Sequence, residues 1–224
     1  MYTWPDKVGL TTYATPGLST RHFFHRSQTV VALNRIPLIV GIGGTAREGS
    51  TSELALQAAL SHARTQGCET VCFSGTDLPS EIFDPSQAAR SDAARALVDA
   101  IRRADGLIIS TPSYHGGISG LIKNAFDFIE DLSDDSRIYL DGRAVGCIVC
   151  AYGAQAMGTT LSSLRSMVHA LRGWPTPYGA TIMVRTGIFG SPKTPADGDA
   201  VQACCTVADQ VIEFARMKIR ADAS

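Results

Sequence analysis

From Pro37 onward the chain alternates short apolar runs with longer segments of helical period, and few folds admit that alternation. Pro37–Ile42, Glu69–Phe73, Gly106–Ser110, Ala144–Ala151 and a run around Pro177–Val184 have strand length and apolar or β-branched character. Between them lie segments of helical spacing. These are Ser50–Ala63, about Ser91–Arg103, a helix carrying Leu121, Ile122, Ala125, Phe126 and Ile129, about Ala154–Arg172, and roughly Pro195–Arg220. Strands that are apolar along their whole length need cover on both faces, and helical crossovers make neighbouring strands parallel. The expected class is therefore α/β: a three-layer sandwich whose five-stranded parallel sheet has the order 2-1-3-4-5, with helices on both faces.

At 224 residues and 45% apolar, the sequence provides for one domain with an appendage. Residues 1–35 form that appendage, with Tyr2, Trp4, Tyr13, Phe23 and Phe24, the cations Lys7, Arg21, Arg26 and Arg35 against Asp6 alone, and no period. Composition leaves two readings open: an irregular leader, or an arm packed on a partner subunit, because aromatics are too frequent for a solvated tail. Residues 36–224 are the expected domain.

A net charge of -1 gives no bulk attraction to nucleic acid or to an anionic membrane. No apolar run approaches the ~20 residues of a membrane span, and no signal-peptide pattern opens the chain. A cytoplasmic protein without nucleic-acid or membrane partners is expected. Cys147 and Cys150 stand three apart in a strand, so they point to opposite faces and cannot chelate as a pair. Together with Cys68, Cys72, Cys204 and Cys205 they read as ordinary thiols of a reducing compartment, with no metal site.

Two loops carry the chemistry. The first strand ends in Gly41-Ile42-Gly43-Gly44-Thr45-Ala46-Arg47-Glu48-Gly49-Ser50-Thr51-Ser52, which opens a helix. Unpaired N–H groups at a helix start favour a phosphate; the hydroxyls of Thr45, Ser50, Thr51 and Ser52 and the charge of Arg47 add to them. The dinucleotide pattern G-x-G-x-x-G fails at Ala46, and no Gly-Lys-Ser/Thr follows. Without lysine the loop suits the terminal phosphate of a mononucleotide. By itself it also reads as a helix N-cap cluster with an exposed arginine. The second loop, Pro112-Ser113-Tyr114-His115-Gly116, joins the third strand to a helix and lets backbone approach a flat ligand. In a 2-1-3-4-5 sheet these loops are neighbours at the topological switch point. A phosphate cradle beside a flat-ligand loop describes a bound flavin mononucleotide.

These residues resemble the NAD(P)H-dependent FMN reductases, flavoproteins of flavodoxin-like fold. The family's G-S-x-R-x-x-S loop is matched by Gly44, Thr45, Arg47 and Ser50. Its P-x-Y-x-G…L-K-N…D segment is matched by Pro112, Tyr114, Gly116, Leu121, Lys123, Asn124 and Asp127, with Ile122 between Leu121 and Lys123. The resemblance covers about residues 36–190 and implies FMN as cofactor, NADPH or NADH as co-substrate, and a homodimer or homotetramer. It also implies that Tyr152, Gly153 and Ala154, after the fourth strand, meet the pyrimidine edge of the flavin through backbone. Tyr152 and Ala154 replace glycine there. The acceptor it implies is free flavin serving a partner monooxygenase; a quinone, an azo dye, chromate or a biosynthetic intermediate are the alternatives.

His115 is the one side chain in these loops whose pKa range suits proton donation at the ring. It also fits a plain backbone-mediated contact. Lys123 and Asp127, four apart on a helix, are read as a pair with each other or as caps of neighbouring loops. Phe126, Phe128 and Ile129 place apolar residues on more than one side of that helix, as an interface would require. Arg143, Arg185 and Lys193 are the cations available for a 2′-phosphate. Outside enzymes, an electron carrier of flavodoxin type is disfavoured by the near-neutral charge, and a flavin-free nucleotide module is the remaining rival.

Overall fold

In the computed structural model, which describes residues 35–190 and 196–224, the apolar runs form a single parallel sheet. The expectations for the aromatic arm through residue 34, and for Lys193, lie outside the described residues. β1 (Leu38–Gly43), β2 (Glu69–Phe73), β3 (Gly106–Pro112) and β4 (Ala144–Ala151) stand in the order β2-β1-β3-β4, and every pair is parallel. Arg35 at the entry to β1 is pinned by Asp105, which accepts from Nη2 and Nη1 at 2.6 and 2.8 Å and from the Leu38 amide at 2.9 Å.

The fifth strand is broken, contrary to the single run expected around Pro177–Val184. It consists of β5 (Trp174–Pro175), paired with the start of β4, and β6 (Ala180–Met183), paired with its end. Prolines cannot donate to a ladder, and Pro175 and Pro177 flank the break. Thr176 turns the chain between them, its amide donating to Val145 O at 3.1 Å and its hydroxyl to Tyr178 O at 2.9 Å. The positions 2-1-3-4-5 are preserved, with the last one shared by two short segments.

Helices α1 (Thr51–Thr65), α2 (Asp92–Arg103), α3 (Gly120–Asp127), α4 (Ala154–Ala170) and α5 (Gly198–Asp222) cover both faces. Side-chain oxygens of Ser50, Ser91, Ser119 and Asp197 accept the first-turn amides of α1, α2, α3 and α5. The cap at Asp197 starts α5 three residues later than the apolar period suggested. The sheet divides the core by the two-residue period of its strands. Leu107, Ile109 and Cys147 face α2, α3 and α4, while Ile108, Ile148 and Cys150 face α1 and α5. At Gly106 a Cβ would lie 2.5 Å from Val211 Cγ1, so glycine there lets α5 pack close on the sheet.

All six cysteines are free thiols, and burial pushes those of Cys147, Cys150 and Cys204 up to about 12. Iodoacetamide at neutral pH should therefore leave these three unmodified in the native protein and alkylate them once urea unfolds it. Peptide mapping checks this, and native labelling of Cys147 would contradict the packing.

Two expectations from sequence are corrected here. Phe126, Phe128 and Ile129 do not form an outer apolar face; all three are buried in the chain's own core. The segment after β2 folds across the far side of α3, where Phe83 meets the Phe128 ring edge-on at 5.3 Å. Asn124 holds that segment, accepting from Phe83 N and donating to Glu81 O, each at 2.9 Å. Nor can Arg143 meet a ligand phosphate. It is fully buried, and donates to the carbonyls of Arg102 and Ala104 at the end of α2, at 2.8 and 3.2 Å, and of Tyr139 and Asp141, at 3.1 and 3.3 Å.

Candidate active site

The strands deliver their carboxyl ends to one edge of the sheet, and a cavity of about 840 Å³ lies along it. That volume is within the range of small-molecule sites, roughly 300–1,000 Å³. One end is the turn from β1 into α1. Thr45, Arg47, Gly49, Ser50, Thr51 and Ser52 all line it. Thr45 is buried and its Oγ1 accepts from Arg47 N at 3.1 Å, which curls the turn and leaves the Arg47 side chain exposed. Ser50 Oγ takes the Glu53 amide at 3.2 Å, and Glu53 reaches back to Gly49 N at 2.6 Å. Glu53 does not line the cavity, so the charge presented to it at this end is that of Arg47 and the positive start of α1.

Gly44 lies beneath this turn instead of on the cavity wall. Its amide donates to Ser110 O at 2.8 Å, and a Cβ there would stand 2.8 Å from Ile122 Cγ1 and Ser119 Oγ. Its role is to let the loops after β1 and β3 close on each other.

The middle of the cavity is Pro112, Ser113 and Tyr114 from β3 and Cys150, Ala151 and Tyr152 from β4. Ser113 joins the two loops, its amide donating to Cys150 O at 2.8 Å and its hydroxyl lying 2.6 Å from Thr160 Oγ1. Tyr114 and Tyr152 are 56% and 82% exposed, so both rings have a face available to a ligand. Beyond Tyr114 the chain reverses tightly, with reciprocal 3.0 Å bonds between Tyr114 and Gly117. His115 and Gly116 both have positive φ, 55° and 80°. His115 is thereby carried to the exposed tip of the turn and, like Gly116, does not line the cavity. Gly153 and Ala154 are also off the wall: Gly153 is the N-cap of α4 and Ala154 its first residue, and no side chain caps that helix. Lys123 and Asp127 pair with each other at 2.5 Å, as their spacing implied.

Of the far wall the sequence had offered only Arg185, as a cation available for a 2′-phosphate. Val184–Gly190, following β6, closes the cavity at the end away from the turn after β1, and Leu54 completes the lining. Gly187 and Gly190 have φ of 73° and 90°, and Gly190 N donates to Gly187 O at 2.8 Å. The paired glycines of Thr186-Gly187-Ile188-Phe189-Gly190, directly after a strand, were the signal that could have exposed it.

A parallel 2-1-3-4-5 sheet with an anion cradle after its first strand and an aromatic loop after its third defines the class: a flavodoxin-like α/β protein. The NADPH-dependent FMN reductase pattern matches residues 37–186, and the chain belongs to that family of flavin-linked oxidoreductases. It is 30% identical over 132 residues to an FMN reductase (NADPH) of Pseudomonas putida, an alignment covering 58% of this chain and 66% of that enzyme. It is also 30% identical over 144 residues to an FMN-dependent NADPH-azoreductase of Staphylococcus aureus, covering 62% and 72% respectively. Among solved structures, the flavoenzyme NAD(P)H:(acceptor) oxidoreductase FerB of Paracoccus denitrificans superposes with a TM-score of 0.66 at 17% identity, covering 81% of this chain and 98% of that one. At that identity the likeness concerns the fold. Among the described residues no helix is long and apolar enough to cross a membrane.

Proposed function

We propose that this protein is an NAD(P)H-dependent FMN reductase that passes reducing equivalents from a nicotinamide through FMN to a small planar acceptor. The observation that carries this is the single cavity joining a Ser/Thr/Arg phosphate cradle to a loop pair bearing two exposed tyrosines. The donor set fits FMN. Thr45, Arg47, Ser50, Thr51 and Ser52 would hold its phosphate, and Pro112–Tyr114 with Ala151 and Tyr152 would hold its ring. Bound flavin supplies the two-electron chemistry, and the protein supplies position and electrostatics.

Arg47 and the α1 start neutralise the phosphate. The Ser113–Cys150 and Ser113–Thr160 contacts fix the spacing of the ring loops, and the exposed tyrosine faces favour an aromatic acceptor, a quinone or an azo compound, stacked in turn with the nicotinamide. Free flavin, handed to a partner monooxygenase, is the competing acceptor. The reading includes a homo-oligomer, which light scattering of the full chain measures directly.

The test is the flavin absorption band of the purified protein, followed anaerobically after NADH and then NADPH. Fast bleaching is expected. Colour that persists would indicate an electron carrier, and a protein that consumes nicotinamide only when FMN is added would have flavin as its substrate.

His115 does not donate a proton in this scheme, because it sits at the exposed tip of a left-handed turn. Asparagine tolerates that backbone region, so His115→Asn should retain full kcat and an unchanged pH–rate profile. Loss of a limb near the imidazole range would restore His115 as an acid.

A further inference from the structure

We infer that Arg185 reads the 2′-phosphate of NADPH, an assignment that rests on the reductase reading above. The cavity has two walls, and the FMN motifs account for only one. The other, Val184–Gly190, extends past residue 186, where the family match ends. A nicotinamide that reduces flavin held on the first wall would lie against the second, and its specificity would fall to the residues of that wall.

Of the cations suited to a 2′-phosphate, Arg143 is sealed among four carbonyls and Lys193 lies outside the described residues. Arg47 stands among the hydroxyls of the α1 start, where it serves the phosphate of FMN. Arg185 lines the cavity on the opposite wall. Its side chain is 65% exposed, and Nη2 donates to Asp197 Oδ2 at 2.7 Å. Asp197 is itself fixed, because Oδ1 caps α5 at Ala200 N (3.1 Å) and its amide donates to Ile188 O at 2.8 Å. The guanidinium is thus held at the cavity rim by a carboxylate on a rigid helix start.

That carboxylate engages one donor of a group that carries five. A monoanionic ligand that displaced Asp197 would exchange one carboxylate for another and gain little. A phosphate of nearly twice the charge gains from sharing or taking the guanidinium. NADH presents a neutral hydroxyl at the same place and gains nothing. Leu54, Ile188 and Phe189 give the cavity apolar surface on which the adjoining purine can lie.

Steady-state kinetics of wild type, Arg185→Ala and Arg185→Lys with NADPH and with NADH, together with equilibrium binding of adenosine 2′,5′-bisphosphate and of AMP, test the assignment. Arg185→Ala should raise KM for NADPH about ten- to a hundredfold, the loss of a charge-assisted bond, with kcat retained and KM for NADH unmoved. Affinity for the bisphosphate should fall by the same factor and that for AMP should not. Lysine should recover part of the loss. Asp197→Asn keeps a capping side chain and frees the guanidinium, so it should tighten the bisphosphate. Equal changes for both nicotinamides, no change for either, or a change confined to KM for an anionic acceptor would overturn the assignment while the reductase reading stands. A wild type that oxidises neither nicotinamide with FMN supplied would overturn both.

Discussion

Replacing Arg47 with alanine is expected to weaken FMN binding by about ten- to a hundredfold and to leave the melting temperature of the apoprotein unchanged. The turn after β1 takes its shape from backbone and hydroxyl contacts, Thr45 Oγ1 to Arg47 N and Ser50 Oγ to Glu53 N, not from the guanidinium. What the variant loses is one charge-assisted contact to a phosphate, worth about 1.5–3 kcal/mol. Titration of the apoprotein with FMN, followed by flavin fluorescence, measures it.

Gly44→Ala separates shape from charge in the same loop. Its new Cβ would press on Ile122 Cγ1 and Ser119 Oγ at 2.8 Å and on Thr111 Oγ1 at 3.0 Å. None of these yields easily, since Ser119 caps α3 and Thr111 Oγ1 holds the Ser119 amide at 3.1 Å. Gly44→Ala should therefore lose FMN affinity together with about 1–3 kcal/mol of stability. An unaltered FMN affinity in Arg47→Ala would mean that the phosphate binds elsewhere.

Removal of Arg143 should have the largest effect on stability. Its guanidinium serves four carbonyls at the end of α2 and in the turn before β4, and of these Ala104 O alone has a second side-chain donor, Arg137 Nη2 at 2.6 Å. Burial, then the neighbouring charge of Arg137, push its pKa down to about 10, so it is still charged at neutral pH. Arg143→Ala strips the carbonyls of Arg102, Tyr139 and Asp141 of their side-chain donor and leaves a void, a loss of about 3–5 kcal/mol. Lysine offers a point charge in place of a planar fork and should recover only part of it. Urea unfolding reads the loss. Affinity for FMN in the folded fraction should not move, because Arg143 lies at the amino end of β4 and the cavity lies at its carboxyl end. A stable variant with impaired NADPH binding would instead return Arg143 to the site.

The turn after β1 was legible as a capped helix start because its signal is local: a glycine-rich strand end, a run of hydroxyls and an arginine lie within one turn of the helix they open. Strands β1 to β4 were legible for the same kind of reason, since a two-residue period and helical spacing are properties of neighbouring residues. The prolines at 175 and 177 were visible too, but that they split one strand into two pieces on the same partner followed from where β4 lies. Tyr114 and His115 are adjacent in sequence, yet one lines the cavity and the other leaves it, because positive φ at His115 and Gly116 turns the chain within two residues.

The sequence by itself determined the α/β class and the helix start after β1 with its glycines, hydroxyls and arginine, since periodicity and backbone chemistry act over a few residues. Tertiary structure alone decided the rest. It buried Arg143, enclosed Phe126, Phe128 and Ile129 beneath the segment after β2, and carried Val184–Gly190, more than 130 residues along the chain from the phosphate turn, to the opposite side of the same cavity. Which surfaces meet depends on the crossovers and on the burial each helix achieves against the sheet, and these are sums over the whole chain that no local pattern contains.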